Sequence, residues 1–468
     1  MAQGHIIPFL SLALKLEQEK GYSITFVNTP LNIQKLRQNL PKTSTIRLIE
    51  IPFDATEHGL PPDSDAAGTL PPQLIRHFVD SSVALKPAFR NLISDLADGG
   101  NPPLCVISDM FFAWSAEVAH EFGTLHAIFN VGAGYSMAGW HATWLNMPHL
   151  KNPNSDELYL PGFPKGYRFQ TKNLPREIAN GPWKFGQEIF RKWKETDAML
   201  FNTVEEFDEI GLTYFRENFP NCSVYAIGPI LSKARSFEED NATPNHKKWL
   251  DSKPKKSVLY VAFGSQYSPS ETQTMELAKA LEASNVNFLW VLRPPASSFT
   301  TDSFSDNYNE NKDFLPTGFE ERIKTSKKGL LLKKWAPQME ILSHESIGAF
   351  LSHCGWNSVI EALSNGVPML AWSMGAEQPF NAKFLEEEMG VSIWVANGVS
   401  IEVKHEEIVK KIELIMKDDD EGNVMRRKAC QVKQIIQSAI KDEEQCKGSS
   451  VKALEDFLTT CMQMRKKV

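Results

Sequence analysis

At 468 residues the chain exceeds one ordinary domain, and a typical size of roughly 100–200 residues per domain sets two to four. Hydrophobic residues make up 42% and charged residues 23%, which excludes a disordered or fibrous chain. A formal charge of -7 leaves no global positive field for nucleic acid or anionic lipid, so any phosphate must be held by a local site.

An amphipathic helical pattern over residues 6–20 ends at Gly21, a residue suited to a left-handed helix stop, and a strand follows at 23–28. This reads as a βαβ unit without its first strand. In a doubly wound sheet that strand is central, so its loss would expose backbone donors and acceptors on both neighbours. Either the natural start lies upstream, or the fold is compromised. Strands at 45–51, 104–108, 126–130 and 198–202 continue the series, and a strand-like YAIGPI closes it. Asp63, Ser64 and Asp65 have the DxD spacing of a metal motif, but their Gly/Pro-rich surroundings make a solvated loop the expectation.

Residues 231–256 form a polar, charge-rich segment that reads as a linker. A second series of strands follows at 257–263, 287–292, 329–332, 349–352 and 368–372, with a polar surface insertion expected at 294–316. Strands alternating with helices imply parallel sheets, hence two α/β domains. The expected boundaries are 1–232 for an acceptor domain, 233–255 for the linker, 256–440 for a donor domain, and 441–468 for a C-terminal helix packing back on the first domain. The run 418–421, three Asp and a Glu, reads as a charged connection and not a metal site.

The most informative stretch is the 44-residue segment 335–378. Its IGAFLSH should be a buried strand, and GWNSVIEAL should open a helix whose N-terminus carries Gly355, Asn357 and Ser358. Backbone N–H groups and a positive dipole end suit a diphosphate there, with His353 as a further donor. Glu361, one turn along, suits paired ribose hydroxyls, and Glu377 with Gln378 suits the hydroxyls of a hexose. Trp335 offers a flat face for a nucleobase.

These residues resemble the signature box of the plant-type family 1 UDP-glycosyltransferases over its full length, and the similarity extends to AQGHIIP, VISDMFF and WLDSKPKKSVLYVAFGS. The resemblance implies the GT-B fold, two Rossmann-like domains facing across a cleft. It implies that Trp335 stacks on uracil, that Ala336 and Gln338 bind the uridine, and that Ser265, His353, Asn357 and Ser358 hold the diphosphate. Glu361 would bind ribose, and Trp356, Glu377 and Gln378 the sugar. A Gln at the last box position and a Trp at 356 go with UDP-glucose in this family. Val131 stands where members often carry Ser or Thr, and Ser373 where Pro is common.

Direct displacement of UDP needs an acceptor oxygen stripped of its proton, and a neutral imidazole suits that task. The resemblance places the base at His5, near the positive end of the first helix, and its partner carboxylate at Asp109, after the strand 104–108. The expectation is an inverting, metal-independent transfer of glucose from UDP-glucose to a hydroxyl of a small lipophilic acceptor, such as a flavonoid or other phenolic. Acceptor contacts are expected from 53–72 and 135–150. The alternatives are another UDP-sugar, or a truncated nucleotide-sugar-binding protein without turnover.

No apolar run reaches the ~18–20 residues of a membrane helix, and Cys105, Cys222, Cys354, Cys430, Cys446 and Cys461 form no CxxC pair. A cytoplasmic monomer without disulfides, membrane insertion or nucleic-acid partner is expected.

Overall fold

The chain divides into two compact units, one formed by Met1–Phe169, Gly181–Phe237 and Ser438–Val468, the other by Gln170–Asn180 and Glu238–Gln437. The computed structural model describes residues 2–62, 64, 65, 70, 72–100, 102–164, 167–175, 178, 181–231, 245–293, 314–333, 335–398, 401–417, 420–443 and 445–465. Asp63, Asp418, Asp419, the first half of the expected linker at 232–244 and most of the expected insertion at 294–313 lie outside the described residues.

In the second unit, apolar runs of β-branched and aromatic residues form one parallel sheet. Its strands lie in the order Gly329–Leu332, Asn287–Val291, Val258–Ala262, Ile347–Ser352, Met369–Ser373, Ser392–Asn397. Val258–Ala262, Ile347–Ser352 and Met369–Ser373 are buried at every position, which requires cover on both faces. The strand order reverses between Val258–Ala262 and Ile347–Ser352. In an open α/β sheet the crevice beyond the carboxyl ends at such a reversal is where ligands bind.

The first unit has two parallel sheets instead of one. Cys105–Asp109, Leu125–Asn130, Ala198–Phe201 and Ser223–Ala226 form a four-stranded sheet, and Thr25–Asn28 pairs with Arg47–Glu50 in a separate pair. Among the described residues, Thr25–Asn28 and Cys105–Asp109 each have a strand partner on one side only. Side chains join the two pieces. The helix Gln3–Lys20 sends Leu12 and Leu16 into the core of the larger sheet, where the C-terminal helix Ser449–Arg465 adds Leu454 and Phe457. It sends Ile6, Leu10 and Leu14 into a second core with Phe26, Ile33 and Leu36. Val27 and Val106, one from each sheet, meet in a third.

Several expectations need correction. The first helix starts at Gln3 and not at residue 6, although it stops as expected at Gly21, with φ 71°. Asn245–Asp251 is helical, so the second half of the expected linker belongs to the second unit. Ser64 and Asp65 are not solvated: they are 4% and 5% exposed, and Asp65 Oδ2 accepts the Leu31 N–H at the start of helix Pro30–Asn39. The last strand of the second sheet, Ser392–Asn397, had no counterpart in the sequence reading.

Helices Gly134–Asn146 and Glu209–Asn218 touch backbone to backbone, because a Cβ on Gly211 would fall within the backbone of Gly134 and Tyr135. Gly211→Ala must therefore push the helices apart. It should lower unfolding stability by about 1–3 kcal/mol or more, read as a reduced urea midpoint; an unchanged midpoint would contradict the close approach.

Candidate functional site

The carboxyl edge of each sheet carries a cluster of polar side chains. In the first unit, Asp109 closes an edge strand and caps the short turn Met110–Phe112, its Oδ1 accepting the Phe111 N–H at 3.1 Å. Its other oxygen, Oδ2, lies 2.6 Å from Nδ1 of His5 in the first turn of the first helix. Asp109 is buried and His5 partly exposed. The capping role and the pairing role thus coexist in one carboxylate. Phe111, which the sequence reading did not single out, lies over the His5 ring with centroids 6.0 Å apart, and it meets Trp140 edge-on at 6.0 Å. The stretch expected to bind acceptor, 135–150, is largely interior: Tyr135 and Trp144 are fully buried. Val131 is half-buried in the core and brings no hydroxyl to the sheet edge.

In the second unit, Val258–Ala262 and Ile347–Ser352 deliver the turns at Gly264 and 353–355 to the reversal point of the sheet. The His353 ring fills the space between two glycines. A Cβ on Gly264 would lie 2.6 Å from it, and a Cβ on Gly355 2.5 Å. Cys354 takes the left-handed conformation, φ 63°, which non-glycine residues rarely adopt outside sites that require it. Asn381 secures it by donating to the Cys354 carbonyl at 2.8 Å. Burial, and then the charge of Arg293, lower the His353 pKa to about 4. The ring is therefore neutral near pH 7, and its Nδ1 has no hydrogen-bond partner among the described residues. Helix Trp356–Asn365 then begins at Gly355 without a side-chain cap.

Gln338, Ser358 and Glu361 are brought together. The Gln338 side-chain amide donates to Ser358 Oγ at 2.9 Å and to Glu361 Oε2 at 2.7 Å. Burial pushes the Glu361 carboxyl up to about 7, against the opposing effect of the Gln338 hydrogen bond. Ala336 is buried, while Trp335 and Asn357 are half-buried. Trp356 is not presented to solvent; its indole is buried beside Phe384, ring centroids 6.3 Å apart. Gln378 is buried too, its Oε1 accepting the N–H groups of Met374 and Gly375 at 2.9 and 3.2 Å. Glu377, half-buried, precedes it at the helix start. Ser373 ties the last two strands together by donating to Asn397 Oδ1 at 2.7 Å.

Ser265 is exposed, and its carbonyl accepts from Arg293 Nη1 at 3.2 Å. Arg293 was absent from the sequence reading. The signal for it was its place just past strand Asn287–Val291, at the same carboxyl edge as His353. It matters because the stretch 335–378 contains no Lys or Arg.

Two α/β units with parallel sheets, each with polar side chains gathered at a carboxyl sheet edge, have the architecture of a glycosyltransferase with the GT-B fold. Residues 208–435 match a family described as UDP-glucoronosyl and UDP-glucosyl transferase. UDP-glycosyltransferase 92A1 of Arabidopsis thaliana is 42% identical, covering 99% of this chain and 96% of that protein. Crocetin glucosyltransferase 3 of Crocus sativus is 38% identical, covering 90% and 91%. The crystal structure of UGT71G1 from Medicago truncatula complexed with UDP-glucose superposes with a TM-score of 0.81 at 25% identity, covering 98% and 96%. The chain belongs to the plant family 1 UDP-glycosyltransferases.

The Glu361 environment has a consequence for stability. Because its folded pKa, about 7, is raised above the ordinary carboxylate value, its contribution is fully present below that ordinary value. It is lost as pH rises through about 7. Glu361→Gln should remove this slope, so the variant gains up to about 3 kcal/mol over the parent between pH 4.5 and 8. Urea unfolding at the two pH values measures it, and parallel losses in both proteins would argue against the buried carboxyl.

Proposed function

We propose that this enzyme is an inverting, metal-independent glucosyltransferase that moves glucose from UDP-glucose to a hydroxyl of a small lipophilic acceptor, working as a cytoplasmic monomer. The observation that carries the reading is the 2.6 Å contact between His5 Nδ1 and Asp109 Oδ2. With Asp109 accepting the Nδ1 proton, Nε2 keeps the lone pair that a general base needs, and the carboxylate stabilises the imidazolium formed during transfer. The acceptor oxygen bonds to the anomeric carbon as its proton passes to Nε2 and the bond to UDP breaks. A single displacement of this kind inverts the anomeric centre, giving a β-glucoside from an α-linked donor.

Charge builds on the departing diphosphate, and the start of helix Trp356–Asn365 supplies the positive end of its dipole to meet it. His353 serves there as a neutral donor, with Arg293 as the nearby cation. Glu361, when ionised, accepts from the ribose hydroxyls, Trp335 stacks on uracil, and Ala336 and Gln338 complete the uridine site. Ser265, Asn357 and Ser358 contact the diphosphate, while Glu377, Gln378 and the backbone at Trp356 contact the sugar. Phe111 and Trp140, beside His5, provide an apolar wall for a phenolic acceptor. The family description includes glucuronosyl as well as glucosyl transfer, so the donor sugar is where a second reading enters.

The purified protein, assayed with UDP-glucose, UDP-galactose, UDP-xylose and UDP-glucuronate against a panel of phenols and aliphatic alcohols, should turn over fastest with UDP-glucose and a phenol. UDP binding without any product would favour a non-catalytic nucleotide-sugar binder. His5→Ala should abolish transfer and leave the UDP dissociation constant within about twofold, whereas Glu361→Ala should raise that constant about 10- to 100-fold. Normal turnover in the first variant removes the base, and unchanged nucleotide affinity in the second removes the ribose contact.

A further inference from the structure

A buried histidine on the neighbouring strand contacts the residue before Asp109. His126, on strand Leu125–Asn130, is fully buried, and burial lowers its pKa to about 3, with a smaller effect from His120. It is neutral and holds one ring proton. Its Nε2 lies 3.0 Å from Ser108 Oγ and 2.9 Å from Ser115 Oγ, and its Nδ1 lies 2.9 Å from Thr196 Oγ1. All three hydroxyls are themselves buried.

Backbone carbonyls surround the same hydroxyls. The Ser115 hydroxyl donates to the Phe112 carbonyl at 2.7 Å, and the Ser108 hydroxyl donates to the Asp109 carbonyl at 3.2 Å. The Thr196 hydroxyl likewise donates toward the His126 carbonyl at 3.1 Å and the Ala198 carbonyl at 3.0 Å, so the neutral imidazole, a donor at one nitrogen and an acceptor at the other, links three hydroxyls that each also face a carbonyl. The first and last carbonyls of the turn 109–112 are therefore tied, through two serines, to one imidazole ring. The Trp193 indole holds a third point by donating to the Met110 carbonyl at 3.0 Å.

The backbone gives this turn little other support. Strand Cys105–Asp109 pairs with Leu125–Asn130 on one side, and no strand pairs with its other edge among the described residues. Yet the turn carries the carboxylate 2.6 Å from His5 and the Phe111 ring over the same imidazole. We infer that His126, acting through Ser108 and Ser115, is a positioning residue that fixes Asp109 and Phe111 against His5 for transfer. The inference rests on the proposed role of His5 as base.

The test uses the full-length enzyme with UDP-glucose and whichever acceptor the panel above turns over fastest. Ser108→Ala/Ser115→Ala should lower kcat about 10- to 100-fold, the scale of a misplacement near 1 Å, while KM for UDP-glucose and UDP affinity stay within about twofold. His126→Phe should lose a similar factor, and combining it with the serine changes should cost little more, as expected for residues acting in series. His126→Gln, whose side-chain amide can again both donate and accept among these hydroxyls, should recover most of the rate. The inference is overturned if the folded serine double variant keeps kcat within twofold of the parent. It is equally overturned if the loss falls on KM, or if Gln restores nothing. His5→Ala measured alongside separates the two readings: turnover there refutes the base itself, whereas an inactive His5→Ala beside an undisturbed serine variant refutes the positioning role alone.

Discussion

The hydrogen bond between His5 and Asp109 joins positions 104 residues apart and links the first helix to a strand that, among the described residues, has a strand partner on one side only. Much of the first unit is arranged to make that bond short. The helix is seated by two apolar stripes, Leu12 and Leu16 against the larger sheet, Ile6 and Leu10 against the smaller pair. Asp109 spends its second oxygen on the Phe111 N–H, which removes its rotational freedom. A charge-assisted contact of this type contributes about 1.5–3 kcal/mol. Its geometry is therefore set mainly by the packing on either side of it.

The second unit solves a different problem. Its box has no Lys or Arg of its own, and His353 is held neutral, so the positive character at the sheet reversal comes from aligned peptide groups and from Arg293 outside the box. Peptide dipoles do not reorganise when charge develops, and that is their advantage over mobile side chains. The two glycines around His353 belong to the same arrangement, since a methyl group at either would displace the ring. Cys354, strained at φ 63°, is where the backbone turns sharply enough to bring strand end and helix start together.

Local pattern carried the strands and the helix at 356, because buried parallel strands are continuous apolar runs and Gly355 and Gly366 punctuate that helix. Gly21 ended the first helix for the same reason. The position of His5 against Asp109 came from resemblance, since no periodicity relates two residues on different elements. What remained illegible depends on contacts between distant segments. Arg293 looks like any basic residue after a strand until the Ser265 carbonyl is seen beside it. Asp65 sits among loop-forming residues and is nonetheless buried by the helix start it supports. Strand Ser392–Asn397 contains Ile393, Trp394 and Val395, a strand signal that lay beyond the box and received no weight.

The division of the first unit into two sheets affects how the molecule fails on heating. Residues 25–50 contribute two strands and one helix, and an isolated pair of strands has little stability of its own in water. With no ladder bonding it to the larger sheet among the described residues, this segment can open locally, at a lower free energy than global unfolding. The first helix shares its second core with that segment, so local opening releases His5 from Asp109. Loss of the His5–Asp109 contact would then precede the cooperative melting of the rest of the protein, and the second unit would outlast this part of the first.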